Sequence, residues 1–340
     1  MKNAAILLVR KKLARLGRWA LICLAALVVL YFFGMIWYDG PGISGGIWNA
    51  LLSMLWLGGG IFLWRKFRSR SHRLILCGVA LAVIIIPRAF IQPSNERDWS
   101  PEFAKTGSST RQGDVVTLRN MRNFSYTREG DMSERWETKT VRLSNLKSMD
   151  LFHTTFGADR IAHPILSFDF GPDGRICLTV ETRREKGEGF SVIGGLYKMF
   201  ELQYLFTTEE DSVRLRASVR DDKVYMYRID MPREEAIALF LSATDVQNDL
   251  AKKPRFYHIM FSNCTTSLRE RLPKDQRGKS DIRMLFNGLL DEYLYENGKI
   301  KTDGLSFSEL RKRAYISPVA QEAHDRPEFS RIIREGRPGM

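Results

Sequence analysis

Twenty consecutive residues, Trp19 to Tyr38, carry no charge and are built mainly from Leu, Ala and Val. A helix of that length matches the hydrocarbon core of a bilayer, which rules out folds that leave the stretch wetted on all sides. A second uncharged run of 25 residues, Gly40 to Trp64, contains the apolar segment Ile47 to Trp64. A third, Leu74 to Pro87, has 14 uncharged residues and becomes long enough if Arg88 extends to the headgroups and the span continues to Ile91. The first run is too long for the apolar part of a signal peptide, and no small-residue cleavage site follows it. Three transmembrane helices are therefore expected within residues 1–92, making the chain integral to a membrane.

The net charge of +13 belongs largely to the flanks of these helices. Residues 1–73 hold 11 Lys and Arg against Asp39 alone, which is 11 − 1 = +10; the rest hold 41 basic and 38 acidic groups, or +3. The excess does not mark a basic face on a folded domain, so nucleic acid is excluded as a partner. Six of those basic residues precede Trp19 and five lie in Arg65–Arg73, whereas Asp39–Gly46 has none. By the positive-inside rule the N-terminus and the second loop are cytoplasmic, and after three crossings the rest of the chain lies outside the cytoplasm.

Residues 93–113 are polar, with Pro93, Pro101 and Gly107, and are expected to form a linker. Strand patterns follow at Val115–Leu118, Thr138–Leu143, Ile161–Phe170, Ile176–Arg183, Ser212–Val219 and Val224–Ile229. Helical patterns occupy Gly194–Leu205, Pro232–Lys252, Thr265–Leu272 and Asp281–Glu296, the second opened by Pro232 with Glu234 and Glu235 in its first turn. Strands with helices at the sheet ends predict an α+β domain over residues 114–315. Residues 316–340, rich in Pro, Gly and charge, are expected to be a loosely ordered tail.

Pro172-Asp173-Gly174, between two strand patterns, fits a three-residue hairpin loop that pairs Gly171 with Arg175. His163, Ile165, Ser167 and Asp169 then share one face with Cys177, Thr179, Glu181 and Arg183. Leu166, Phe168, Phe170, Ile176, Leu178 and Val180 take the opposite, core face. In this register His163 and Glu181 are diagonal neighbours, placed for a carboxylate to orient an imidazole. Cys177 falls roughly 20 Å along the sheet from His163.

The second extramembrane cysteine, Cys264, stands in Ser262-Asn263-Cys264-Thr265-Thr266, turn-type residues leading into a helix-forming stretch. A thiol at the first turn of a helix is stabilised as thiolate by unpaired N–H groups and the helix dipole. Cys264 is the candidate nucleophile and His163 the candidate base, with His258 as its rival. Asn263 either caps that helix or polarises a substrate carbonyl. Arg122, Asn123 and Tyr126 are candidates to line a substrate site, or else form a buried hydrogen-bonding network. Arg183 is a candidate for binding a phosphate or carboxylate. No HExxH, CxxC or Gly-rich phosphate loop is present, so neither metal nor cofactor is implied.

The run Arg119-Asn120-Met121-Arg122-Asn123-Phe124-Ser125-Tyr126 is followed in order by Ala162-His163-Pro164-Ile165-Leu166-Ser167-Phe168, Val180-Glu181-Thr182-Arg183, Tyr227-Arg228, Phe256-Tyr257 and Asn263-Cys264-Thr265-Thr266. This series resembles the bacterial Lnb N-terminal periplasmic domain family over roughly residues 110–275. The order His, acidic residue, Asn-Cys is also similar to permuted NlpC-type papain-like folds. The resemblance implies an antiparallel sheet with flanking helices, anchored in the bacterial inner membrane with the domain in the periplasm. It implies Cys264, His163 and Glu181 as nucleophile, base and orienting residue of an acyltransferase or hydrolase acting on a membrane lipid or lipoprotein. A cell-wall thiol amidase or peptidase and a non-catalytic envelope binding protein are the alternatives. Pro164 departs from the small polar residue expected beside the histidine; it removes a strand N–H and points to a sheet edge or bulge.

Overall fold

A computed structural model describes residues 2–156, 161–261, 281, 283 and 287–340. The chain divides into two compact units, residues 1–92 with 187–199, and residues 93–186 with 200–340.

The first unit contains α1 (Lys2–Asp39), α2 (Ile47–Lys66) and α3 (Arg70–Ala89). All three helices are long and apolar enough to cross a membrane. Leu21, Leu24, Leu27, Leu55, Ile75 and Val83 are all more than half exposed on the helix exteriors, an arrangement that suits hydrocarbon surroundings and no aqueous one. The α1–α2 turn is closed by Asn49, which is fully buried. Its Oδ1 accepts from the Gly42 N–H at 2.9 Å, while its Nδ2 donates to the carbonyls of Trp37, Gly42 and Ile43. One buried side-chain amide thus satisfies turn groups that the two helix ladders leave without partners.

The second unit is built on a mixed, mainly antiparallel sheet. Its strands are β1 (Ser108–Gln112), β2 (Val115–Arg122), β5 (Trp136–Arg142), β6 (Ser148–Thr155), β7 (Ala162–Asp169), β8 (Arg175–Arg183), β9 (Glu201–Thr207) and β10 (Lys223–Arg228). The order is β1-β2-β9-β8-β7-β6-β10, with β5 also paired to β2; β3 (Ser125–Tyr126) and β4 (Met132–Ser133) form a separate hairpin. One face is covered by α5 (Arg233–Lys252), whose Phe240 ring lies 5.0–5.5 Å from those of Phe168, Phe170 and Phe206. The other face carries a second core in which Ile165 and Cys177 pack with Val213, Ala217, Ile316, Ala320, Phe329 and Ile333. The face bearing His163 is therefore covered over most of its length by helices, and the domain is a three-layer α+β structure.

Several sequence expectations change here. Residues 93–113 are not a free linker: Trp99 and Phe103 are buried, and β1 begins at Ser108. Asn95 donates to the Leu250 and Ala251 carbonyls at the end of α5, which ties the segment down. Ser212–Val219 is not a strand. It completes α4 (Glu209–Arg214) and continues as a π-helical turn, Leu215–Val219. Within the expected helix Gly194–Leu205 only Gly194–Leu196 is helical, as a short 3-10 turn, and Glu201 onward forms β9. The C-terminal tail is packed: α8 (Ser317–Glu322) and α9 (Phe329–Ile332) follow α6 (Leu290–Glu296) and α7 (Phe307–Ala314). Phe329 and Ile333 are fully buried. Arg334 anchors this tail by pairing with Asp150 at 2.9 Å and with Glu209.

Candidate active site

The hairpin that carries the candidate base turns one residue earlier than its sequence suggests. The Phe170 N–H donates to the Gly174 carbonyl at 2.9 Å and encloses the turn Gly171–Asp173. Gly171 and Gly174 both take positive φ, at 56° and 94°, which a side chain would strain. The register becomes Asp169 opposite Arg175 and Ile165 opposite Thr179, a shift of two residues. An even shift preserves the faces, so His163 and Glu181 still lie on one side, and they now oppose each other directly.

Their side chains meet. His163 Nε2 lies 3.2 Å from Glu181 Oε1 and 2.5 Å from Thr179 Oγ1. The Thr179 hydroxyl donates its proton to Glu181 Oε1 at 2.8 Å, so its oxygen is left to accept from the imidazole. Nε2 therefore carries the ring proton and Nδ1 is the basic nitrogen. Arg216, almost fully buried in the π-helical turn, adds a third donor to the same carboxylate oxygen at 2.9 Å.

Burial raises the Glu181 carboxyl, but His163, Arg216 and the Thr179 hydroxyl outweigh it and hold the group well below the carboxylate range. Burial lowers the His163 imidazole and prevails over the attraction of Glu181, with Arg216 acting in the same direction as burial. The resting site thus pairs an ionised carboxylate with a neutral imidazole, the protonation state a general base requires.

Asn263 and Cys264 lie outside the described residues, as does the expected helix Thr265–Leu272. The other candidates are placed, and each is engaged within the protein. Arg122 is buried and makes a bidentate pair with Asp211, whose carboxylate also accepts from the Phe124 N–H and, at 3.4 Å, the Tyr126 hydroxyl. Asn123 donates to Glu137 and accepts from Thr208. Arg183 stacks 4.3 Å over Trp99 and donates to the Phe103 carbonyl and to Asn95. His258 accepts from the Met260 N–H through Nδ1. Cys177 is fully buried, and burial pushes its thiol well above the usual range. Among the described residues no group of three or more His, Cys, Asp and Glu is arranged to hold a metal ion.

Thr179 and Arg216 complete the cluster and were not singled out from sequence. Thr179 does fall on the expected face. Arg216 sits in the segment whose alternation of Val213, Leu215, Ala217 and Val219 imitates a strand.

Residues 132–288 match the model of the Lnb N-terminal periplasmic domain. Over that segment the chain is similar to this family. With three apolar helices before it, the chain is an envelope protein with a membrane-embedded part and an extracytoplasmic domain. The matched segment contains His163, Thr179, Glu181 and Arg216, whereas Arg122, Asn123 and Tyr126 precede it. No curated protein and no solved structure matches the chain.

Proposed function

We propose that the protein is a membrane-anchored thiol acyltransferase or hydrolase of the bacterial envelope, with Cys264 as nucleophile, His163 as base and Glu181 as the orienting carboxylate. The observation that carries this reading is the pair of contacts at His163 Nε2. His163 Nε2–H is committed to Thr179 and Glu181, which leaves Nδ1 to take a thiol proton. The chain on either side of Cys264 supports the assignment. The Tyr257 N–H donates to the Phe200 carbonyl, next to β9, and Asn287 Nδ2 donates to the Ala162 carbonyl beside His163. Cys264 is seven residues beyond Tyr257, an extended reach of at most about 25 Å.

In the proposed reaction Nδ1 takes the Cys264 proton and the sulfur attacks an ester carbonyl. The C–O bond breaks, and the imidazolium returns its proton to the departing alkoxide. An amine or water then attacks the thioester and loses a proton through His163, releasing an amide or an acid and restoring the thiol. Three membrane helices favour a lipid-linked substrate, a phospholipid or a lipoprotein. The order of the three residues fits a permuted papain-like domain. Asn263 is assigned to the carbonyl oxygen. Arg122, Asn123, Tyr126 and Arg183 are assigned to holding the surrounding segments in place, because their polar groups already have partners.

Intact-mass analysis of the full chain in phospholipid nanodiscs tests the reading. The expected result is a hydroxylamine-labile acyl adduct on Cys264, lost in Cys264→Ala and reduced in His163→Ala. An adduct that persists in Cys264→Ala, or no adduct beside activity on cell-wall peptide, would overturn it.

A further inference from the structure

The connection between β8 and β9 contains an apolar patch that the proposed chemistry leaves unused. Phe190, Val192 and Ile193 are 45%, 43% and 59% exposed, in a segment that groups with the membrane helices. Three large apolar side chains presented together to water would be unfavourable, so their surroundings need explaining.

The segment is fixed on the C-terminal end of α1. The Tyr197 ring stacks between Tyr31 and Tyr38, with centroids 5.4 and 5.1 Å away. It sits so close to Gly34 that a Cβ there would lie 2.0 Å from the Tyr197 hydroxyl, so a larger residue would have to displace the ring. The Lys198 N–H donates to Asp39 at 2.7 Å, and Lys198 Nζ donates to the Arg88 and Ile91 carbonyls at the end of α3. Ser191 Oγ accepts from the Gly194 N–H at 2.9 Å, which folds the tip so that its apolar neighbours stay outside.

These contacts set the depth. Tyr31 is eight residues before the end of α1, about 12 Å down its axis. Ile193 and Tyr197 face Leu27, Leu30, Gly34 and Tyr38 across an open groove of about 460 Å³. Leu27 is twelve residues before the end of α1, about 18 Å down and within the apolar span. At that depth the available occupant is an acyl chain, and tyrosines at the rim suit the interfacial belt.

We infer that the Phe190–Ile193 tip is a membrane-inserting element that enters the leaflet at the C-terminal end of α1, with a phospholipid acyl chain occupying the groove between Ile193 and Leu27. The interaction surface is then the bilayer, and it does not depend on the chemistry proposed at Cys264.

Photo-crosslinking of the full chain in phosphatidylethanolamine–phosphatidylglycerol nanodiscs tests it, with p-benzoylphenylalanine replacing Phe190 or, separately, Ile193. Leu27 substituted in the same way serves as the reference inside the span. The expected result at both tip positions is a mass shift of one phospholipid, as at Leu27. Phe190 accepts the probe with little change of shape, so this arm stands even if the Ile193 variant does not fold. Lipid adducts at Leu27 with none at Phe190, or cross-links from Phe190 to protein only, would overturn the inference.

Discussion

Replacing Glu181 with Gln separates two roles that one oxygen combines. Glu181 Oε1 accepts from Thr179 at 2.8 Å and Arg216 at 2.9 Å, and lies 3.2 Å from His163 Nε2. An imidazolium and a carboxylate at that separation attract by about 5 kcal/mol at an effective dielectric constant near 20. The competing Arg216 charge, and the hydrogen bonds glutamine can still make, reduce the loss to about 2 kcal/mol. With 1.36 kcal/mol per factor of ten, the thiolate–imidazolium pair should be roughly 30-fold less populated, and alkylation of Cys264 slower by that factor at neutral pH. Without the carboxylate the His163 imidazole falls further below its usual range, so reactivity moves to higher pH. Arg216 is left buried without its carboxylate, which should also lower the melting temperature. The double variant Glu181→Gln/Arg216→Met removes that stranded charge. If Glu181 acts on His163, the double variant regains thermal stability but stays slow in alkylation, followed peptide by peptide by mass spectrometry. If Glu181→Gln alone alkylates at the wild-type rate with an unchanged pH profile, the orienting role is refuted; because Arg216 also lowers the imidazole, the rate of the double variant is read against Arg216→Met alone.

Arg334→Met should lower the unfolding midpoint by an amount equivalent to about 3 kcal/mol, because buried Glu209 loses its charge partner while Asp150 keeps Arg228. Burial raises the Glu209 carboxyl but Arg334 holds it below its usual 4.5, so its wild-type contribution is present above that pH and lost as pH falls through the depressed value. An unchanged midpoint, or full recovery with Arg334→Lys, would refute the forked clasp. Burial pushes the Glu201 carboxyl up to about 7, against the pull of Ser94, Arg97 and Arg183. Its folded-state value is raised, so its contribution is full below 4.5 and is lost as pH rises through about 7. Glu201→Gln keeps an acceptor for the Ser94 N–H and should flatten that slope, gaining up to about 3 kcal/mol at pH 8 by thermal melts. A slope identical to wild type would disprove the assignment.

The parts of the fold legible in the sequence are those whose signal is local. The apolar runs give α1–α3 directly, and Pro232 with Glu234 and Glu235 marks the start of α5. Ser212–Val219 misleads because Val213, Leu215, Ala217 and Val219 alternate as in a strand, while the forces that choose helix are distant. Thr208 caps α4 through the Asp211 N–H, and the buried carboxylates Glu209 and Asp211 are tolerated because Arg334 and Arg122 reach them. Propensity yields to tertiary pairing here. The C-terminal residues likewise show no periodic pattern, and their order comes from Phe329 and Ile333 in the second core and from the Arg334 clasp.

The candidate site was legible through parity more than through distance. A turn placed one residue late moves the register by two, and an even slip leaves every side chain on its face. His163 and Glu181 thus remained partners although the pairing was misaligned, and direct opposition brought them closer than the diagonal arrangement. Parity does not report what covers a face. A solvated polar face and one roofed by α4 and its π turn have the same alternation, but different chemistry. Under the roof the imidazole is held neutral, and Arg216 is brought to the carboxylate from 35 positions away in sequence. The wider π turn changes which residues point inward, and turns of this kind are frequent at functional sites. Residue type and strand parity suffice to nominate a base and its carboxylate. Their protonation state depends on the helical layer above them, so the decisive signal was in the segment whose local pattern was most misleading.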